Sequence, residues 1–418
     1  MSSTTRDIEQ RSERKELPEG WRWIRLGEVC ELNPRRPFID RHDSELTSFI
    51  PMESVDAVLG VVSSIRERPY GEVKNGYTFF AEADVLFAKI TPCMQNGKHA
   101  IAVGIIDGIG FGTTEFHVIR PSESIISEFI WFFVRQPIVL ADAIKHFTGA
   151  IGQQRVPEGY LAELEIPLPP LSEQQRIAAI LNDQMGAVEK ARTAAQERLR
   201  AIKALPAAFL RQIFPDPGQP LPEGWRWAKL GEVCEVIGGS TPDTGNSAYW
   251  NGDIAWVTPT DLGKFTDITI LATSRQITLS GLQNCGTQML PVGTVIMSSR
   301  APIGHLAIAG VSLCTNQGCK SFVPGMGVDS VFLYWAIKRA VPDIQALGSG
   351  ATFAEVSKSI LYQFEIPLPT LPEQQRIAAI LREQLAAIEQ ARIAAEAELK
   401  AINTLPAALL RRAFNGEL

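Results

Sequence analysis

The sequence predicts an α+β chain. Two tandem α/β domains each precede a long helix, and the two helices pack antiparallel as a coiled coil about a pseudo-twofold axis. Three observations lead there: the chain is written twice, its helical segments carry a heptad-like apolar stripe, and its composition is globular. The 418 residues are 45% hydrophobic and 21% charged, with 33 Gly and 27 Pro, enough apolar mass for packed cores.

The duplication comes first, because it sets the domain count. Residues 17–31 read LPEGWRWIRLGEVCE and residues 221–235 read LPEGWRWAKLGEVCE, 13 of 15 positions alike at an offset of 204. Residues 165–181 (EIPLPPLSEQQRIAAIL) return at 365–381 (EIPLPTLPEQQRIAAIL), 15 of 17 alike at an offset of 200. The same offset pairs Ala191 with Ala391, Leu205-Pro206 with Leu405-Pro406, and Phe214 with Phe414. Between these near copies, residues 32–164 and 236–364 look largely unrelated. One scaffold is used twice, around two different middles.

Each repeat ends in a helix. Apolar or small residues, interrupted by one Gln in each copy, fall at Ile177, Leu181, Gln184, Val188, Ala191, Ala195, Leu199, Ile202, Leu205 and Phe209, and again at Ile377, Leu381, Gln384, Ile388, Ala391, Ala395, Leu399, Ile402, Leu405 and Leu409. Steps of three and four read as heptads. Ser172-x-x-Gln175 and Thr370-x-x-Glu373 are possible capping boxes, and Pro372 suits a first turn. The Glu-Ile-Pro-Leu-Pro stretch before each helix must be extended. Pro206 and Pro406 are expected to kink or restart the helices. About 40 helical residues would span on the order of 60 Å. Such a helix exposes its seam unless its copy covers it; the rival reading is two separate helices, each folded on its own domain.

The middles read as mixed α/β with short strands at 84–90, 100–106, 293–299 and 305–309, and one helical stretch each at 127–135 and 330–339. The predicted organisation is a disordered lead-in at 1–16, domains at 17–169 and 215–369, a central helix at 170–214 and a C-terminal helix at 370–418. Residues 1–16 hold four acids and four bases and no apolar stretch, unlike a signal peptide. No apolar run approaches the ~18 residues of a membrane span.

Catalytic motifs are scarce. The chain has no P-loop and no G-x-G-x-x-G after a strand. Asn33-Pro34-Arg35 is not the Asn-Pro-Pro-aromatic motif of amino-methyltransferases. Gly238-Gly239-Ser240-Thr241-Pro242 resembles a phosphate cradle, but its proline removes a donor and no helix follows, so a plain loop is expected. Asp56, Glu72 and Lys74 have nuclease-like spacing, with a solvated turn as the simpler reading. Six cysteines without a C-x-x-C exclude zinc-ligand spacing and a secreted disulfide scaffold. A reduced cytoplasmic protein with mostly buried thiols is expected.

The net charge is −6, which at first argues against nucleic acid. Its distribution matters more. Residues 17–169 carry −6 and 215–369 carry −3, whereas helices 170–214 and 370–414 carry +3 and +1. Any nucleic-acid surface must be a local patch. Two candidates follow a hydrophobic strand. Lys89, Thr91, Gln95, Asn96 and Lys98 form one. Ser299, Arg300, His305, Asn316 and Gln317 form the other. Such side chains reach phosphates and base edges, Arg and Lys toward phosphate or guanine and Asn and Gln toward adenine, and loops at strand ends are where binding groups concentrate.

Taken together, these motifs resemble the DNA-specificity subunit of type I restriction–modification systems, over essentially the whole chain. The resemblance is carried by Leu17-Pro-Glu-Gly-Trp-Arg-Trp23 and its copy at 221–227, and by Ile166-Pro-Leu-Pro-x-Leu-x-Glu-Gln-Gln-Arg-Ile177 and its copy at 366–377. Also contributing are Ala88-Lys89-Ile90-Thr91-Pro92, Tyr249-Trp250-x-Gly252-Asp253-Ile254-x-Trp256-Val257, Thr315-Asn316-Gln317-Gly318 and the ending Ala413-Phe414-Asn415-Gly416-Glu417-Leu418. It implies two target-recognition domains, each reading half of a split double-stranded DNA site, with the helices as spacer. It implies two modification (methyltransferase) subunits docked along helices and domains, and restriction (endonuclease/translocase) subunits bound to those. S-adenosylmethionine, ATP and Mg²⁺ would belong to these partners, with no cofactor, metal or catalytic residue in this chain. The repeated Gln174, Gln175, Arg176, Ile177 and Leu181, with Gln374, Gln375, Arg376, Ile377 and Leu381, are the candidates for partner docking or helix pairing. Two other readings stay open here: a coiled-coil adaptor that binds protein without reading DNA, and a nuclease using Asp56, Glu72 and Lys74.

Overall fold

The computed structural model describes residues 16–418 except 151, 266, 301 and 349–354. The lead-in expected over 1–16 therefore lies, but for Glu16, outside the described residues. The first repeat runs β1 (Arg22–Arg25), α1 (Leu26–Val29), β2 (Cys30–Leu32), β3 (Leu46–Ile50), β4 (Arg66–Pro69), α2 (Tyr70–Val73), β5 (Thr78–Ala81), β6 (Val85–Ala88), β7 (His99–Ile101), β8 (Ile109–Gly112), β9 (Phe116–Pro121), α3 (Ser127–Val134), α4 (Pro137–Lys145), α5 (Glu158–Glu163), β10 (Glu165–Leu168) and α6 (Leu171–Ile213). The second runs β11 (Arg226–Lys229), α7 (Leu230–Val233), β12 (Cys234–Gly238), β13 (Trp250–Val257), α8 (Pro259–Leu262), β14 (Thr269–Ile270), β15 (Arg275–Ile277), α9 (Leu279–Gln283), β16 (Val295–Ser298), β17 (Leu306–Ala309), β18 (Leu313–Thr315), β19 (Cys319–Pro324), α10 (Ser330–Ala346), α11 (Lys358–Gln363), β20 (Glu365–Leu368) and α12 (Leu371–Phe414).

The proline-rich connectors are strands. β10 pairs antiparallel with β1, Trp23 opposite Pro167, and β20 pairs with β11, Trp227 opposite Pro367. Each pair is a two-stranded sheet, where a proline can turn its missing donor outward. The middles, unlike in sequence, fold alike. The sheet β2-β9-β6-β7 of the first repeat answers to β12-β19-β16-β17-β14 in the second. A smaller sheet holds a parallel pair in each, β3 with β8 and β13 with β18. Strand patterning survives extensive change of side chains as long as the buried face stays apolar.

The chain divides into two compact units, Met1–Gln196 with Ala397–Leu418, and Glu197–Glu396. Both boundaries cut the long helices, so each unit holds the start of one helix and the end of the other. In the first unit Ile177, Ala178 and Leu181 share a core with Leu410, Ala413 and Phe414, over Phe129, Phe133 and Ile166. In the second, Ile377, Ala378 and Leu381 share one with Leu210 and Phe214, over Phe332 and Ile366. The segments run antiparallel within each unit. Arg176 donates to the Leu418 carbonyl at 2.7 Å, while Met185–Arg192 face Asn403–Leu410 across one cavity. In the second unit Leu381 lies with Leu210, while Glu396 meets Lys203 at 3.1 Å.

Three expectations about the helices change. α6 and α12 run on through Pro206 and Pro406, so neither helix restarts after Leu205 or Leu405. Ile202 and Leu210, both buried, flank Pro206, and packing there outweighs the roughly 3 kcal/mol penalty of a mid-helix proline. The apolar stripe also drifts. Ala191, Ala391, Leu205 and Leu405 are exposed, and half-buried Arg192, Arg392, Pro206 and Pro406 occupy the seam instead, as expected when a 3.6-residue helix slips ~20° per heptad against a 3.5-residue repeat. Finally, the helices begin at Leu171 and Leu371, which leaves Ser172 inside the first turn rather than at a cap. No helix among the described residues is long and apolar enough to cross a membrane.

Candidate nucleic-acid interface

The first cluster lies on the loop between β6 and β7. Its backbone is pinned on both sides: Lys89 N–H donates to Glu115 O, Val156 N–H to Lys89 O and Thr91 N–H to Gln154 O, at 2.9–3.0 Å. Met94 is fully buried beneath it. Gln95 and Asn96 stand exposed at the tip, while Lys89 and Lys98 are half-buried. Lys98 Nζ donates to the Met52 carbonyl at 3.0 Å, tying the loop inward. The Thr91 hydroxyl is buried and meets no partner among the described residues. Burial holds the Lys89 ammonium below its usual range, opposed by Glu115. Glu115 is itself held below the ordinary carboxylate range by its fork of bonds from Arg155, at 2.8 and 2.7 Å.

The second cluster occupies the same place between β16 and β17 and on the turn after β18. Ser299 N–H donates to Gly318 O and Val356 N–H to Ser299 O, so Ser299 stands where Lys89 does. Ser299 is fully buried. Its hydroxyl donates to Gly318 O at 3.2 Å and accepts from Lys320 Nζ at 3.2 Å, which makes it a support of the loop and not a group reaching outward. Arg300, His305 and Asn316 are half-buried and Gln317 is exposed. Asn316 Oδ1 accepts from Gly318 N–H at 2.9 Å, and Thr241 donates to Gln317. The Gly238-Gly239 stretch is part of this wall. A Cβ on Gly239 would lie 2.2 Å from the Asn316 carbonyl oxygen, so glycine permits close strand approach and is not a phosphate cradle.

The equivalence exposes residues that sequence reasoning missed. Ile90 bridges to Arg155, and Arg300 bridges to Glu355, in the same register. In the first unit the basic Arg155 meets the acidic Glu115. In the second the acidic Glu355 meets Lys320 at 3.4 Å and Arg300 at 3.9 Å. One frame therefore carries charge of opposite sign at matching positions. The signal was in the sequence: carried back past residue 165, the offset of 200 aligns Arg155-Val156 with Glu355-Val356.

The family model for the type I restriction modification DNA specificity domain matches residues 18–197 and 222–399. The chain belongs to this family. Over 163 residues it is 41% identical to the specificity subunit of the type I restriction enzyme MjaIX of Methanocaldococcus jannaschii, a stretch covering 38% of each chain. The match thus spans well under half of that relative. The HsdS subunit from Thermoanaerobacter tengcongensis superposes with a TM-score of 0.68 at 29% identity, over 97% of this chain and 99% of that one. A chain from a structure of complex assembly and conformational transition of the type I R-M system does so with a TM-score of 0.78 at 28% identity, over 97% and 100%.

In this specificity-family chain the residues repeated at the helix starts divide into two kinds. Gln174 accepts from Ile126 N–H at 3.0 Å and donates to Ser124 O and Pro169 O, both at 2.9 Å. Gln374 repeats the pattern with Asp329 N–H, Gly327 O and Pro369 O. Both are buried. They lock each helix start to the domain before it, so their side chains serve an internal joint, where partner docking or helix pairing was expected. Ile177, Leu181, Ile377 and Leu381 are spent in the cores that pair the helix segments. Gln175, Arg176, Gln375 and Arg376 remain on the surface. The nuclease-like trio does not assemble. Asp56 accepts from the backbone of Val58 and Leu59, Glu72 from Arg68, and Lys74 donates to Asp43. Among the described residues no three His, Cys, Asp or Glu gather as a metal site.

Two imidazoles beneath the first cluster give it a pH dependence. His99 is fully buried, stacked on Phe87 at 4.2 Å, and its Nδ1 accepts from Ala88 N–H at 3.1 Å. Burial pushes it down to about 3, and burial also lowers His117. The folded chain keeps His99 neutral, while the unfolded chain takes up a proton once pH falls below about 6.5. Stability is therefore lost as pH falls from about 6.5 toward 3. From His99 alone the loss reaches about 2 kcal/mol by pH 5. Urea unfolding at pH 7 and pH 5 measures it. His99→Gln, whose amide oxygen can accept the same N–H, should flatten the slope; an unchanged slope would remove His99 as the cause.

Proposed function

We propose that this chain is the sequence-specific DNA-recognition subunit of a type I restriction–modification complex. Each domain reads one half of a bipartite, asymmetric site in double-stranded DNA. The observation that carries this reading is the pair of equivalent loops, held on near-identical frames yet bearing unlike side chains. Two half-sites of different sequence call for such readers, whereas a palindrome would call for two identical ones. In the first domain Gln95 and Asn96 present to base edges, with Lys89 toward phosphate and Lys98 bracing the loop from within. In the second, Gln317, Asn316, His305 and Arg300 present, with Ser299 bracing from behind. The paired helices set the spacer.

The remaining roles rest on family membership and the repeated surfaces. Two modification subunits dock on the scaffold, one per repeat, and restriction subunits join through them. Chemistry resides in those partners, with S-adenosylmethionine, ATP and Mg²⁺, and this chain is non-catalytic. It works in the cytoplasm. Because its recognition domains are net acidic, the isolated chain binds DNA weakly, and partners supply most of the phosphate neutralisation.

Methylome sequencing with and without this subunit tests the reading directly. Gln95→Ala with Asn96→Ala should relax the first half-site alone, each lost contact being worth about 1–3 kcal/mol of base discrimination. An unchanged methylation pattern would strike this loop from the interface. A complex that assembles but binds DNA without sequence preference would favour the adaptor reading instead.

A further inference from the structure

The segment between β2 and β3 stands beside the first reading loop and is anchored at both ends. Asn33 N–H donates to Val118 O at 2.8 Å, its carboxamide donates to Glu158 at 2.7 Å, and its Oδ1 accepts from Val118 N–H at 3.0 Å. The Asn33 amide also lies 3.1 Å from His117 Nδ1, and His117 and Glu158 both act on the Lys89 charge or are acted on by it. Pro34 is buried. At the other end Ile39 packs on the cluster of Phe49, Tyr70 and Phe111. Four residues project between these anchors: Arg35, Arg36, Pro37 and Phe38, all exposed. Phe38 is 91% exposed.

A lone exposed phenylalanine needs no explanation by itself; what calls for one is its place on a short, doubly anchored tip beside two cations. Two features say what covers it. Among the described residues neither Arg35 nor Arg36 meets a carboxylate; Arg36 donates to the Lys74 carbonyl, which leaves its charge unneutralised. The neighbouring cations are engaged, Arg41 with Asp107 and Lys74 with Asp43. Two uncompensated guanidiniums beside an apolar wedge suit a surface that is anionic at its edge and apolar between its layers, which describes a DNA duplex. The second unit carries no such tip in the matching loop. Just after that loop, at the start of β13, Trp250 is half-buried and capped by Arg275 at 3.7 Å from its ring centre.

We propose that Phe38 inserts between base pairs beside the half-site read by the first domain, with Arg35 and Arg36 on the flanking phosphates. The inference rests on the DNA-reading function above and adds to it an asymmetric deformation of the target. The test uses the full chain assembled with its modification subunit and the duplex identified from the methylome, with 2-aminopurine placed in turn across each half-site. Binding should raise the fluorescence at one step by the first half-site and at none by the second. Phe38→Ala should abolish that rise and weaken binding about tenfold, the size of one lost base–aromatic stack, with assembly unchanged. Phe38→Trp should retain the rise. Specific binding without any rise, or a Phe38→Ala complex that binds DNA normally, would overturn the wedge while leaving the reading function standing. A Phe38→Ala chain that no longer assembles would assign the tip to a protein partner and overturn it equally. Loss of sequence-specific binding by the unmodified complex would instead strike the function on which the wedge depends.

Discussion

Phe414→Ala should lower the stability of the first unit by about 3–5 kcal/mol, the usual range for truncating a buried phenylalanine. The side chain lies at the end of α12, is 6% exposed, and packs against Phe129 at 4.8 Å and Phe133 at 5.3 Å between ring centres. It is the largest group by which the last turns of the chain reach the core under α3. Phe214 holds the corresponding place in the second unit, fully buried and 5.4 Å from Phe332. Phe214→Ala should therefore cost a similar amount, felt by the other unit. Differential scanning calorimetry on both variants checks this. Each substitution should separate the transitions of the two units, moving a different one downward. A single transition shifted equally by both variants would show that the units unfold together and that the ends of the helices are not private to one core.

The repeats were legible in the sequence because they are covalent facts: offsets of 204 and 200 need no folding to be seen. From them followed the helices and the extended Glu-Ile-Pro-Leu stretches, while the candidate loops came from polar clusters at strand ends. The likeness of the two middles was not legible. A sheet face tolerates exchange of one apolar residue for another, so β6 (Val85-Leu-Phe-Ala88) and β16 (Val295-Ile-Met-Ser298) build the same strand with only the valine in common. The side chains of the candidate site were only half legible. Gln95 and Asn96 stand where the loop composition placed them, whereas Ser299 and Gln174 are buried. A polar letter in a sequence says that a hydrogen bond will be made, not whether the partner is the chain itself. Gln174 illustrates the ambiguity: an amide repeated in both halves could serve a duplicated partner or a duplicated internal joint, and three backbone bonds settle it as a joint. The charge pairs Arg155–Glu115 and Glu355–Lys320 were missed because they join residues 40 and 35 positions apart, which no local pattern can reveal.

Arg135→Met should abolish recognition by the first domain while leaving the second intact. Arg135 sits on the turn after α3 with its guanidinium largely enclosed. It donates to Gly97 O at 2.6 Å, His99 O at 3.3 Å, Val58 O at 2.8 Å and Ala57 O at 3.5 Å. Trp131 adds a bond from Nε1 to His99 O at 2.9 Å, and the guanidinium lies 5.1 Å from its ring centre. A Cβ on Gly60 would lie 2.1 Å from Arg135 Nη1, so the turn at 57–60 wraps the cation as closely as a backbone can. Burial pushes Arg135 down to about 10, which still leaves it charged at neutral pH. One cation thus fastens the base of the loop carrying Gln95 and Asn96 to the helix beneath. Methionine keeps the apolar stem and removes every donor, stranding several carbonyls at about 1–3 kcal/mol for each that water cannot reach. About 3–4 kcal/mol is expected overall. Lysine would restore little, since one ammonium cannot span acceptors arranged for a planar fork. Hydrogen exchange should quicken across 89–99 in Arg135→Met and not across 299–305. The assembled complex should lose discrimination at the first half-site, as the Gln95 and Asn96 substitutions do. If exchange rises while discrimination holds, the clamp is structural only. If both hold, the loop is ordered from elsewhere, and its bonds to Glu115, Gln154 and Val156 are the remaining source of that order.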